Sequence, residues 1–361
     1  MRGYSLSDEA MTYAKSGVDL SKVRRAHRDI ASLLSSTFKL RATGLGRVLT
    51  EVGHYAGLID IGGGKALALH ADGVGTKVLV AQLMEKFDTV GIDCVAMNVN
   101  DLVCIGAEPL ALVDYLVVEE PDEWMISEIV KGLVKGAELA NVVVVGGETA
   151  VMPDVVKGEV KGRGFDLAAL SVGMVDQGAV LTGSKLKPGD VIVGVESSGI
   201  HSNGLTLARK VLLKDRSVHD TLPELECSIG EELLKPTYIY VRPVLEALRR
   251  LEVHAVAHIT GGSFTKLRRF EAYAPVGFKL DSMPDPHPIF KVIRRLGKVP
   301  IDEMYRTFNM GVGLCIMLPR GEVDEAIGIF EKHGFKAWAI GEVVEEPGVK
   351  VKPPGEGWLS L

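Results

Sequence analysis

Short apolar runs and longer stretches with apolar residues at helical spacing follow one another along most of this chain. The patterns predict strands at residues 66–71, 110–118, 142–145, 165–175, 191–196, 253–259, 311–318 and 336–344. They predict helices at residues 19–38, 89–102, 122–141, 230–251 and 323–333, and another from about residue 203. Because both halves mix strands and helices, we expect an α+β fold with two mixed α/β-sandwich-like domains.

Turn-forming residues suggest where these domains begin and end. The turn Asp176-Gln177-Gly178 is the best boundary, which predicts domains at residues 1–178 and 179–346. Residues 347–361 are rich in Pro and Gly and are expected to form a surface tail. Residues 44–64 are predicted to be a loop.

Charge and composition exclude some classes of function. The chain has 41 Lys and Arg against 47 Asp and Glu, a net charge of -6. This balance argues against a dedicated nucleic-acid-binding protein. The chain shows no apolar stretch long enough to span a membrane and no apolar signal-peptide core at its N-terminus, so we expect a cytoplasmic protein.

Candidate chemistry begins at Asp72-Gly73-Val74-Gly75-Thr76-Lys77, directly after a predicted buried strand. Backbone N–H groups and Lys77 could hold phosphate oxygens, and Asp72 could bind a hard cation. The alternative is a simple Asp-Gly turn beside a solvated lysine.

Polar side chains also interrupt the predicted helix at 89–102. Asp93, Asn100 and Asp101 lie near one face of this helix, because seven and eight residues are about two turns, and Asn98 belongs to the same string. These groups form either part of a site or an internal hydrogen-bonded network.

A further carboxylate, Glu148, follows the predicted strand at 142–145 and precedes Thr149. This position suits a ligand-binding group, and helix capping by Thr149 is the alternative. If Asp72, Asp93, Asp101 and Glu148 converge, their mutual repulsion requires compensation, for which divalent cations are the natural candidates.

The second half carries three more candidate strings. Ser197 to Gly204 reads SSGIHSNG at a strand-to-helix turn, which suits a sugar phosphate or, alternatively, an elaborate helix cap. His258 ends an apolar strand before Thr260-Gly261-Gly262 and is either an acid/base candidate or a structural histidine. Asn309 precedes a Gly-rich turn, which predicts a close backbone approach or a softened strand edge.

Together, these strings resemble one family, phosphoribosylformylglycinamidine cyclo-ligase, also called aminoimidazole ribonucleotide synthetase. The matching strings, in the family's order, are YAKSGVD, DGVGTK, GIDCVAMNVND, GAEPL, GGETAVMP, SSGIHSNG, HITGG and TFNMGVG. They span Tyr13 to Gly313, and the last three separate this enzyme from a wider ATP-binding superfamily.

The resemblance implies an N-terminal domain that dimerises through its sheet and a C-terminal domain that closes over a cleft. It implies ATP-dependent conversion of formylglycinamidine ribonucleotide to aminoimidazole ribonucleotide, ADP and phosphate in purine biosynthesis. Mg²⁺ is the expected metal, with K⁺ as a further candidate ion, and neither nucleic acid nor membrane is an expected partner.

The resemblance also distributes roles among the residues of the strings. The expected catalytic residues are His258, Asp93 and Lys77, and the expected metal ligands are Asp72, Asp93, Asp101 and Glu148. ATP and its phosphates are expected at Asp72, Gly73, Gly75, Thr76, Lys77, Asn98, Asn100, Gly146, Gly147 and Thr149. The ribonucleotide is expected at His201, Ser202, Asn203, Gly204, Thr260, Gly261, Gly262 and Asn309.

Three segments depart from the family pattern. Ala31 stands where the family has a lysine, residues 57–59 replace a Gly-Phe-Gly loop, and residues 263–268 replace an Asn-Pro-Arg-like segment. Two alternative functions therefore stay open. One is a related enzyme, selenophosphate synthetase or thiamine-phosphate kinase, and the other is a non-catalytic nucleotide-binding scaffold.

Overall fold

The computed structural model describes residues 11, 12, 16 and 20–361 of the chain. Of the motif string at 13–19, only Ser16 lies within the described residues. A first helix, α1 (Leu20–Ser35), precedes two sheets that lie one after the other along the chain.

The first sheet has five strands in the order β1-β2-β5-β3-β4. The strands are β1 (Gly57–Gly62), β2 (Lys65–Gly73), β3 (Glu108–Val118), β4 (Val143–Val151) and β5 (Phe165–Asp176). The helices of this domain are α2 (Lys77–Met84), α3 (Asp88–Cys104) and α4 (Glu123–Ala140). Asp122 caps α4 by accepting a hydrogen bond from the backbone N–H of Met125, and Asn141 ends it in the left-handed conformation.

Helix α3 lies at the centre of the molecule. It packs on β2 and β5 of the first sheet and on two elements of the second domain, β7 (Ala255–His258) and α7 (Val241–Arg250). Gly91 of α3 and Gly132 of α4 permit a close crossing, since a Cβ at Gly91 would lie 2.3 Å from the backbone nitrogen of Leu133. Because almost the whole surface of α3 is buried, its polar side chains must find partners inside the protein.

The second sheet has seven strands in the order β12-β11-β8-β10-β6-β9-β7. The strands are β6 (Val191–Glu196), β7 (Ala255–His258), β8 (Gly277–Leu280), β9 (Val312–Leu318), β10 (Ala337–Val344), β11 (Gly348–Val351) and β12 (Leu359–Ser360). The helices are α5 (Leu205–Leu212), α6 (Ile229–Leu233), α7 (Val241–Arg250), α8 (Pro288–Gly297), α9 (Ile301–Thr307) and α10 (Val323–Lys332). A 3₁₀ helix at Ser263–Ala272 follows β7.

The α+β prediction is confirmed, and three local predictions are wrong. The predicted helix at 230–251 is two helices, because the segment between them contains Pro236 and is held by side chains of α3. The predicted surface tail enters the second sheet, where Val349 and Val351 are buried and β11 pairs with β8. The predicted loop at 44–64 contains β1, which pairs with β2.

The predicted boundary at 178/179 lies between the two sheets, directly after β5. Within the part of the chain that the structure describes, no helix combines the length and the apolar character that a membrane span needs.

Candidate active site

The two domains meet at a polar contact between α3 and the end of β7. The Nδ1 atom of His258 lies 2.8 Å from Oδ1 of Asp101, and the His258 side chain is fully buried. The other carboxylate oxygen of Asp101 lies 3.7 Å from Nε2 of His70, which comes from β2. The side chains of Asp101 and His70 keep 10% and 16% of their area exposed, so these two members of the group can meet a ligand, whereas His258 cannot.

Asp72, near the end of β2, belongs to the same electrostatic cluster. Burial and the nearby Asp101 carboxylate raise the pKa of Asp72. Burial also acts to raise the pKa of Asp101, but the hydrogen bond from His258 and the charge of Lys266 outweigh it and hold this pKa well below its usual range. Asp101 is therefore the firmly ionised carboxylate of the pair.

Asp93 and Lys77, in contrast, form an internal ion pair. Nζ of Lys77 lies 2.8 Å from Oδ2 of Asp93 with both side chains fully buried, and it donates a second bond to the carbonyl of Lys235. Oδ1 of Asp93 accepts hydrogen bonds from Ser202 and Thr237. Both side chains are thus fully buried and paired with each other, and the expected metal and catalytic roles of Asp93 and the expected phosphate-binding and catalytic roles of Lys77 stay predictions.

The two asparagines of α3 also bind the protein's own backbone. The amide of Asn98 donates to the carbonyls of Asp72 and Cys94 and so holds the end of β2 against α3. Asn100 donates to the carbonyl of Tyr238 and accepts from the backbone N–H of Tyr240. Both side chains are fully buried, and their expected contacts with ATP stay predictions.

The string Gly146-Gly147-Glu148-Thr149 lies on β4, at the edge of the first sheet. In the strand order β4 is three strands from β2, so Glu148 is separated from Asp72 by about 14 Å across the sheet. Across the described ranges, no group of three or more His, Cys, Asp or Glu side chains is arranged to hold a metal. Within one chain, Asp72 and Asp101 therefore lie near each other, whereas Asp93 pairs with Lys77 and Glu148 lies across the sheet, and the expected metal roles of the four carboxylates stay predictions.

The turn after β2 retains the features expected of a phosphate-binding loop. Gly75 has a φ of +70° and is exposed, so a larger residue would be strained there. Thr76 precedes α2 without capping it, and its Oγ1 lies 3.1 Å from Oγ1 of Thr206 in the second domain. This turn therefore lies where the domains meet.

The SSGIHSNG loop is held mainly from inside. The side-chain NH₂ of Asn309 donates hydrogen bonds to the carbonyls of Gly199 and Ile200. Its side-chain oxygen accepts from the hydroxyl of Ser197 and the backbone N–H of Gly311. His201 accepts from the backbone N–H of Ser198, and burial lowers its pKa well below the usual value. The side chains of Asn309, His201 and Ser202 are therefore buried among the protein's own groups, and their expected contacts with the substrate stay predictions.

Of the other expected ribonucleotide residues, Gly261 is exposed and Asn203 and Gly262 are partly exposed, whereas Gly204 and Thr260 are buried. Asn203 is partly exposed beside Gly261, where a Cβ would lie 3.0 Å from the Asn203 amide oxygen. Gly204 and Gly262 both have positive φ values, +79° and +84°. Thr260 accepts a hydrogen bond from Nζ of Lys266 through its Oγ1. The loop at 201–204 and the loop at 260–262 therefore adjoin each other.

His70 and Lys266 are two members of the cluster that the motif analysis missed. His70 lies two residues before Asp72, and alternation along a strand places both side chains on one face of the sheet. Lys266 lies in a segment that departs from the family pattern, where no motif could point to it.

A cavity of about 910 Å³ also opens between the domains. It is lined by Ser197 and Ser198 and by residues of α4 and the segment before α7, including Lys135, Lys235 and Tyr238. None of the residues around Asp101 lines this cavity, so it is distinct from the site described above.

Comparison with known proteins identifies the family. Residues 53–175 match the family described as AIR synthase related protein, N-terminal domain, and residues 187–353 match the corresponding C-terminal domain. A phosphoribosylformylglycinamidine cyclo-ligase of Thermococcus gammatolerans is 50% identical over 345 residues, which cover 96% of this chain and 99% of that relative. The chain belongs to the phosphoribosylformylglycinamidine cyclo-ligase family.

A second cyclo-ligase, from Methanothermobacter thermautotrophicus, is 48% identical over 338 residues, or 93% of this chain and 95% of the relative. Among solved structures, AaThiL complexed with AMPPCP and TMP has a TM-score of 0.61 at 17% identity, covering 91% of this chain and 95% of that one. The structural similarity shows a shared fold. The cyclo-ligase matches confirm the predicted family and enzyme class. They favour cyclo-ligase activity over selenophosphate synthetase and thiamine-phosphate kinase activity.

Proposed function

We propose that this chain catalyses the ATP-dependent ring closure of formylglycinamidine ribonucleotide to aminoimidazole ribonucleotide, ADP and phosphate. The observation that carries the proposal is nearly full-length identity of 47–50% with cyclo-ligases, joined to a carboxylate site where the two domains meet. An amide oxygen is a poor leaving group, so transfer of the terminal phosphoryl group of ATP to that oxygen activates it. A nitrogen of the open-chain substrate then forms the C–N bond that closes the ring and gives up its proton, as the C–O bond breaks and phosphate departs.

The cluster fits a magnesium site of the kind that a nucleotide completes. Mg²⁺ is commonly held by one or two protein carboxylates together with substrate phosphates and water. Asp72 and Asp101 supply two carboxylates, and Nε2 of His70 is buried with no hydrogen-bond partner in the described chain. When bound, Mg²⁺ neutralises charge on the transferred phosphoryl group. K⁺ remains a prediction without a distinct set of ligands.

Around these carboxylates, the backbone of Gly73, Gly75 and Thr76 is proposed to hold nucleotide phosphates. The ribonucleotide is proposed to contact Asn203, Gly204, Gly261 and Gly262, which lie in two adjoining loops of the second domain. Of the positions proposed for the two substrates, Gly75 and Gly261 are exposed and Gly73, Thr76, Asn203 and Gly262 are partly exposed, which supports contact with a ligand.

His258 is proposed to act through Asp101 and not on the substrate directly. Its ring is fully buried behind the carboxylate, and burial lowers its pKa although Asp101 opposes this effect. A neutral imidazole that donates from Nδ1 orients the carboxylate and keeps it ionised. His258 is thus a positioning residue in this proposal.

A second copy of the chain is proposed to cover the open face and edge of the first sheet. Val143 to Thr149 of β4 are nearly all exposed, with Val145 at 67%, and Tyr115 of β3 is 44% exposed. An exposed apolar sheet edge of this kind is typical of an interface. In such a dimer, the contact includes Gly146, Gly147, Glu148 and Thr149 of β4. These residues could then bind ATP or a metal only together with residues of the second copy. The expected cytoplasmic location also remains a prediction.

The reaction is tested with the full chain, Mg²⁺, ATP and formylglycinamidine ribonucleotide. We expect one ADP for each aminoimidazole ribonucleotide, and a fall in turnover of at least about a hundredfold in Asp101→Asn. Asp88→Asn, on the same helix but exposed, is the matched control and should keep wild-type turnover. ADP release without cyclised product, or full activity of Asp101→Asn, would contradict the proposal.

A further inference from the structure

The 3₁₀ helix at Ser263–Ala272 places two cations side by side near the carboxylate cluster. Lys266 and Arg269 are three residues apart, and a 3₁₀ helix has three residues per turn, so both lie on one face. Both contact the same ring: Nζ of Lys266 lies 5.7 Å from the centroid of Tyr55, and the guanidinium carbon of Arg269 lies 3.8 Å from it.

Neither Lys266 nor Arg269 forms a direct ion pair within the described residues, although the charge of Lys266 acts on the nearby carboxylates of Asp101 and Asp72. No Asp or Glu oxygen lies within 4.0 Å of Lys266 or Arg269 there, although the adjacent, exposed Arg268 contacts Glu271 at 3.5 Å. Lys266 donates to Thr260 and retains two further N–H donors. Two partly buried cations on one helix face repel each other, and an anion that binds both would offset this repulsion.

Unpartnered polar atoms gather at the same place. Among the residues that the structure describes, the hydroxyl of Tyr55, Nε of Arg269 and Nε2 of His54 are buried without a hydrogen-bond partner. Tyr55 itself is only 2% exposed. Buried polar groups are normally satisfied, so this concentration indicates a place that a polar ligand completes.

We propose that Lys266 and Arg269 bind a phosphate group of a substrate beside Asp72 and Asp101. This proposal rests on the proposed function for the presence of two phosphorylated substrates, the nucleotide and the ribonucleotide. A phosphate accepts several charge-assisted hydrogen bonds at once, which suits a lysine and an arginine on one helix face. The two cations thereby compensate phosphate charge that the acidic chain as a whole would repel.

Calorimetry with two separate probes tests the site and distinguishes the source of the phosphate. The probes are a non-hydrolysable ATP analogue with Mg²⁺ and ribose 5-phosphate, titrated into wild type, Lys266→Gln, Arg269→Gln and the control Arg268→Gln. We expect Lys266→Gln and Arg269→Gln to lose about tenfold to a hundredfold affinity for one probe, with Arg268→Gln unchanged. Loss for the analogue assigns the nucleotide phosphate, and loss for ribose 5-phosphate assigns the ribonucleotide phosphate.

The conservative variant Lys266→Arg keeps the charge and should restore most of the lost affinity, which a purely structural role would not predict. Unchanged binding of both probes in both Gln variants, or a loss that Lys266→Arg does not restore, overturns the proposal. Because binding is measured without turnover, a protein that binds phosphate through these residues but forms no cyclised product would contradict only the proposed function.

Discussion

His258 and Asp101 join the two domains through a 2.8 Å contact between Nδ1 and Oδ1. One residue ends strand β7 of the second domain, and the other lies in the last turn of α3 in the first. The proposed metal ligand is thus held by a residue that is 157 positions away in the chain. Domain packing and the state of the site are therefore coupled.

Rescue by an isosteric donor should identify His258 as a positioning residue. We expect His258→Leu to lower kcat about tenfold to a hundredfold, because the Asp101 carboxylate loses its donor. His258→Asn can still donate to Asp101 and should retain most of the turnover. Steady-state kinetics of both variants provide the measurement, and equal losses in the two would argue against a role through this hydrogen bond.

Breaking the buried ion pair between Lys77 and Asp93 should lower the stability of the fold. We expect Asp93→Asn to lower the free energy of unfolding by about 3–5 kcal/mol, because the Lys77 charge is left buried without its partner. Urea unfolding measures this loss. Glu128→Gln, in the exposed pair with Lys131, is the control and should cost less than about 1 kcal/mol. A small effect of Asp93→Asn would mean that Lys77 finds another counter-ion.

The lowered pKa of Glu246 predicts how the free energy of unfolding depends on pH. Hydrogen bonds from Lys332 and His333 lower its pKa to about 2, although burial opposes them. A depressed carboxylate pKa adds stability that is complete above the unfolded value near 4.5 and disappears as the pH falls through about 2. The stability difference between wild type and Glu246→Gln should therefore be constant above about pH 5 and shrink below it. Unfolding curves across this range test the prediction, and a difference that persists at pH 2 would contradict it.

The proposed dimer predicts a change in mass. We expect the wild type to have twice the 38.8 kDa mass of one chain by light scattering. Val145→Asp places a charge on the exposed β4 edge and should yield monomers, because a charge buried without a partner in an interface is unfavourable. Val155→Asp, at another exposed valine, should leave the mass unchanged. A monomeric wild type would exclude this interface.

Local patterns predicted most single elements but not the breaks imposed by packing. The predicted helix at 122–141 matches α4 and its caps, because capping and amphipathic spacing are encoded within the segment itself. The helix predicted at 230–251 failed because its middle is held by Asp93 and Asn100, residues distant in sequence. Strand β11 escaped prediction because its pairing with β8 is a contact between remote segments.

The sequence alone determined the α+β class, the family and the motifs that contain the site residues. It could do so because periodicity and motif order are properties of neighbouring residues. Which members of those strings reach a ligand depends on the tertiary structure. Asp93 and Asp101 lie two turns apart on one helix, yet Asp93 is fully buried against Lys77 and Asp101 keeps about a tenth of its side-chain area exposed. The difference arises because burial and the choice of counter-ion depend on what the second domain places against each turn of α3. The cations Lys266 and Arg269 join the site for the same reason.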